Sequence, residues 1–164
     1  MIRLIKFFAI ISFCLTTNAI ALIEIDITEG NREPLPIAIS DFFYDEVDSL
    51  KLNEISNNLS DVVKADLERC GLFAPINEDA FIQKNSAMHL RPRFEDWRLI
   101  KSQALVTGKL KIVDEDKLRV EFRLWDTLAE KEIEALVLIT TLDNWRRISH
   151  MISDKVYERL TGEK

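Results

Sequence analysis

One run near the middle of the chain leaves little freedom in how it folds. Between Lys117 and Trp125, Leu118, Val120, Phe122 and Leu124 alternate with Arg119, Glu121 and Arg123. Successive strand side chains point to opposite faces, so this run sets large apolar groups on one face and charges on the other. It demands a sheet with one wet face, and other elements must cover the apolar face.

The flanking sequence supplies both. Ala104 to Val113 and Lys131 to Leu142 are the neighbouring strands, the first joined to the central run by the acidic turn Asp114-Glu115-Asp116 and the second carrying Ala135 to Ile139. Two helices have the right periodicity. From Asp48, Ile55, Leu59, Val62 with Val63, Leu67 and Cys70 recur at three- and four-residue steps, and Gly71 supplies the stop. The last helix opens at Asp143, an N-cap residue type, aligns Trp145, Ile148, Ile152, Val156 and Leu160, and closes at Gly162. Cys70 reads as a small buried apolar residue on its helix. Earlier in the chain, Leu22 to Ile27 alternates as a strand, and Pro36 to Ile39 is a short, mostly apolar strand expected to be central. Leu72 to Ile76 is extended, and a short helix after Pro92 runs through Phe94, Trp97 and Ile100. The expected fold is α+β: a mixed sheet of five to six strands, packed on one face by two amphipathic helices.

The first 21 residues belong to a different object. Met1 to Lys6 carries Arg3 and Lys6, Phe7 to Leu15 is apolar, and Ala19-Ile20-Ala21 presents small side chains at the positions a signal peptidase must accept. The apolar stretch is far short of the roughly 20 residues that span a bilayer. Residues 1–21 therefore read as a signal peptide cleaved between Ala21 and Leu22, and residues 22–164 as one domain with no direct membrane insertion after cleavage. Cys14 is the weaker choice as a lipid-attachment residue, because bulky Phe13 precedes it where a small residue is needed. Loss of Arg3 and Lys6 leaves 20 basic against 28 acidic residues and moves the formal charge from −6 to −8. An acidic surplus gives no footing for nucleic acid or for an anionic membrane surface.

Motifs that carry chemistry are missing. No Gly-x-Ser-x-Gly elbow or Gly-x-x-x-x-Gly-Lys loop is present, and the glycines at 30, 71, 108 and 162 lie too far apart for a phosphate loop. His150 stands four residues before Asp154, but no third metal ligand is near in sequence, so a hydrogen-bonded structural histidine is the better reading. His89 carries less signal still. Trp97, Trp125 and Trp145 fall on apolar faces and read as core. No cofactor is called for, and an exported hydrolase is disfavoured for want of a nucleophile.

Three strings carry a family resemblance: WRLIKSQALVTGKL (97–110), VEFRLWD (120–126) and, most specific, DNWRRISHMISDKVYERLTGEK (143–164). With Pro36 to Ile39 and Ala65 to Phe73 in the same order, they resemble the N-terminal domain of the TolB family, periplasmic proteins of the Tol-Pal system. The resemblance implies a periplasmic, non-enzymatic adaptor that supports outer-membrane integrity and cell division. It implies that the strand just past the cleavage site, Leu22, Ile23, Glu24, Ile25, Asp26 and Ile27, binds the C-terminal domain of the inner-membrane protein TolA. Family members continue past Leu-Thr-Gly into a six-bladed β-propeller that binds the lipoprotein Pal. No propeller repeat occurs in this sequence, so Pal binding is not expected of it. A shortened or split gene, folding as an envelope domain without a partner, is the alternative expectation.

Overall fold

The computed structural model describes residue 23 and residues 33–45, 49–83 and 91–163. Among them five strands form one mixed sheet: β1 (Leu35–Ile39), β2 (Phe73–Pro75), β3 (Ala104–Asp114), β4 (Lys117–Asp126) and β5 (Lys131–Thr141), in the order β2-β1-β3-β4-β5. β1 runs parallel to both β2 and β3, whereas β3, β4 and β5 form an antiparallel meander. The helices are α1 (Leu50–Arg69), α2 (Phe94–Leu99) and α3 (Trp145–Thr161). The α+β class, the mixed sheet and the inner position of β1 agree with the sequence reading. Of the expected strand at 22–27, only Ile23 falls among the described residues.

The alternation in β4 does what its period demands. Leu118, Val120, Phe122 and Leu124 are buried in one cluster with Ile37 and Ile39 of β1, Val106 and Leu110 of β3, and the apolar stripes of α1 and α3. Each fully buried side chain of this size stabilises the fold by about 1.5–3 kcal/mol. Ser49 caps α1, its Oγ accepting from the N–H of Leu52 at 3.2 Å. At the far end Gly71 takes φ 77°, the left-handed conformation that glycine adopts without a Cβ penalty.

Three details depart from the sequence reading. The opposite sheet face is not wet along its whole length: α2 folds over one end, where Phe94 and Trp97 bury against Ala38, Leu105 and Trp125. Cys70 is exposed rather than buried. α1 ends at Arg69, so Cys70 sits beyond the packed turns, its Sγ donating to the carbonyl of Leu67 at 2.9 Å. Asp143 does not cap the last helix; it lies in a 3-10 turn, Leu142–Asn144, and α3 begins at Trp145 with no side-chain cap. The carboxylate of Asp143 instead comes within 3.9 Å of Lys51 Nζ on α1.

Candidate functional site

The candidate site is the place where the segment around the expected cleavage point meets the domain. Ala21, Leu22 and Glu24 to Ile27 lie outside the described residues; Ile23 is their one representative. Its backbone N–H donates to Oδ2 of Asp126 at 3.1 Å, a contact across 103 residues of sequence. Its side chain packs, half-buried, on the main core.

Asp126 is placed to receive it by the end of β4. The residue is fully buried, and its other oxygen, Oδ1, accepts the N–H groups of Leu128 at 2.9 Å and Ala129 at 2.8 Å. This is the local Asx geometry that shapes a turn, here the turn joining β4 to β5. The turn is pinned from two sides. Thr127 donates its N–H to the carbonyl of Gln103 at 3.0 Å and its hydroxyl to the same oxygen at 2.9 Å. Arg98 of α2 reaches over to Glu130, Nη1 to Oε1 2.5 Å, and to the carbonyl of Thr127 at 3.4 Å. A rigid turn therefore offers one carboxylate oxygen to the incoming chain. Sequence reasoning missed Asp126, since a single acid at a strand end looks like any turn residue; the alternation reaching Asp126 was the only signal.

At the other edge of the meander, β5 pairs with no further strand among the described residues. Leu142 donates its N–H to Asp116 at 3.1 Å, so by strand alternation the peptide groups of Ala135, Val137 and Ile139 face away from β4. Their side chains lie on the outer face, with Val137 and Ile139 exposed. One end of this edge is covered by α3, from which Arg159 Nε donates to the carbonyl of Ile133 at 3.0 Å.

His150 pairs with Asp66 of α1, Nδ1 to Oδ2 2.6 Å, and not with Asp154; it joins the two long helices while staying exposed. Asp154 instead lines a shallow cleft with Lys155 and Glu158. Lys155 is held above its ordinary pKa by its hydrogen bond to Glu158, with burial opposing and the charges of Glu158 and Glu134 adding. A second open cleft, about 530 Å³, is lined by Asp41, Asp61, Lys64, Glu78 and Asp79, where Lys64 is paired with Asp61 and Glu78. No three His, Cys, Asp or Glu among the described residues converge as metal ligands. His89 lies outside the described residues. Trp97 and Trp125 are buried, and Trp145 packs half-buried on the main core.

Comparison with known proteins adds a family. Residues 23–133 match the model of the TolB amino-terminal domain. The chain is 51% identical over 167 residues to the Tol-Pal system protein TolB of Pelagibacter ubique (strain HTCC1062), a match covering 98% of this chain and 37% of that protein. The chain thus spans about a third of the length of that curated relative. The crystal structure of TolB from Acinetobacter baumannii superposes with TM-score 0.64 at 26% identity, over 86% of this chain and 32% of the other. Lipoprotein GNA1162 from Neisseria meningitidis shares the fold alone, with TM-score 0.53 at 14% identity over 78% of this chain and all of its own.

Proposed function

Because the chain belongs to the TolB amino-terminal domain family, we propose that it is a non-enzymatic periplasmic adaptor of the Tol-Pal system. In this reading residues 1–21 direct export and are removed between Ala21 and Leu22. The segment Leu22 to Ile27 then adds as a strand to the C-terminal domain of TolA, coupling inner and outer membranes to support envelope integrity and cell division.

The observation that carries the reading is the contact that Ile23 makes with the domain. Ile23 contributes one backbone hydrogen bond and one half-buried side chain, contacts of the kind that a terminal strand can exchange for a partner's sheet edge. Strand addition supplies affinity through backbone hydrogen bonds and specificity through alternate side chains, and Ile23, Ile25 and Ile27 provide such an alternating set. A periplasmic address is supported by the family.

Calorimetric titration of the processed protein with the TolA C-terminal domain, with and without residues 22–27, tests the proposal. Binding is expected only with the segment present. Equal binding by both forms would remove the strand as the contact, and no binding by either would remove TolA as the partner.

A further inference from the structure

Leu99 and Leu128 are large apolar side chains turned to solvent, 74% and 58% exposed, and both sit on backbone that is held in place. Leu99 closes α2, where the chain turns through Lys101 in the left-handed conformation, φ 61°. There the N–H groups of Lys101 and Ser102 donate to the carbonyls of Arg98 at 2.9 Å and Trp97 at 3.0 Å. Leu128 donates its N–H to Asp126 Oδ1 at 2.9 Å. The two leucines flank one bridge: Arg98 adjoins Leu99, and its Nη1 reaches the carbonyl of Thr127, which adjoins Leu128, at 3.4 Å. Apolar side chains scattered singly over a surface mean little. A pair mounted on a pinned helix end and a pinned turn is preorganised for contact, since little freedom remains to be lost on docking.

The course of the chain fixes what comes to this end of the domain. Gln103 donates its N–H to the carbonyl of Pro36 at 2.9 Å, and its own carbonyl accepts the N–H of Thr127 at 3.0 Å. The start of β1 and the β4–β5 turn therefore stand side by side, two strand spacings or roughly 10 Å apart. Residues 22–27 join the domain through Glu33, and the six residues from Ile27 to Glu33 span at most about 22 Å. Whatever grips residues 22–27 is tethered at this end, beside Leu99 and Leu128. A domain of about 100 residues has a radius of gyration of roughly 13 Å, so a partner of that size on so short a tether is brought against the surface.

We propose that Leu99 and Leu128 form a second docking surface, resting on the proposed strand addition, for the partner that takes up residues 22–27, and that this partner presents an apolar patch beside its sheet edge. The strand supplies backbone hydrogen bonds, while the two leucines bury apolar area and fix how the two domains are oriented. Arg98 and Glu130 between them form an ion pair, neutral as a unit, so apolar contact rather than charge selects what docks there.

Calorimetric titration compares the processed protein, residues 22–164, with its Leu99→Gln/Leu128→Gln form, using the TolA C-terminal domain as the probe. The double substitution is expected to weaken binding roughly tenfold. Because both side chains are exposed, it is expected to leave the thermal unfolding midpoint within about 2 °C of the parent. Equal affinity of the two forms overturns the second surface and leaves the strand addition standing. No binding by the parent overturns the strand addition and this surface with it. Sedimentation of the parent alone addresses the other occupant: self-association that the double substitution abolishes assigns the leucines to a second copy of the chain and overturns the proposal. Should the double form fail to fold, each single substitution is titrated alone, with about threefold weakening expected from each and unchanged affinity in both overturning the surface.

Discussion

A side chain at position 108 would collide with its neighbours. A Cβ there would run into the ring of Phe42 and stand 2.6 Å from the carbonyl oxygen of Glu121, one of them a fully buried aromatic and the other backbone. Neither can move aside cheaply in a close-packed core. Gly108→Ala is expected to destabilise the domain by about 2–3 kcal/mol, read from the midpoint of urea unfolding. Asp126 is the other residue on which local structure turns. Asp126→Ala would strand the N–H groups of Leu128 and Ala129 at the β4–β5 turn, and a loss of about 2–4 kcal/mol is expected by the same measurement. Neither requirement is legible in a single sequence. The glycine is needed because of a residue 66 positions away, and the aspartate because of a turn whose amides are identified only once the hairpin is closed. Cys70 shows the opposite failure: its spacing from Val63 and Leu67 fits the buried stripe, but the helix ends one residue earlier and the side chain is exposed.

At the scale of elements, the meander could be read directly from its period, while the short helix α2 could not be placed. Its residues Phe94 and Trp97 announce an apolar side, yet no local signal says which surface receives it. The answer is the outer sheet face beside Trp125, where the Phe94 and Trp125 rings meet edge to face with centroids 5.9 Å apart. Trp97, fully buried there, donates its indole N–H to Gln83 Oε1 at 3.3 Å. Trp97→Ala is expected to cost about 3–5 kcal/mol, comparable with a truncation in the main core, as checked by denaturant unfolding followed by circular dichroism. β5 offers the contrasting case within one strand. Val137 faces outward and exposed whereas Ile133 is buried, so Val137→Lys should change stability by less than about 0.5 kcal/mol while Ile133→Lys should lose several times that. Like behaviour of the two would contradict the assigned faces.

For the whole molecule, the proposed function depends on how firmly the terminal segment is held. Deleting residues 22–27 is expected to leave the far-ultraviolet circular dichroism of the domain nearly unchanged, because the five strands and three helices close their core from residues 33–163. If the deleted form instead lost its cooperative transition, the segment would be part of the core and unavailable for exchange with a partner. The sequence by itself determined the class of the fold, the strand and helix periods, the buried residues of β4, and the family, because each of these rests on local spacing or on contiguous strings. Only the tertiary structure decided that β1 lies parallel between β2 and β3, that α2 closes the second face, and that Asp126 meets Ile23 across 103 residues. Those features depend on contacts between segments far apart in the chain, and a local pattern says which face a residue takes but not what will lie against it.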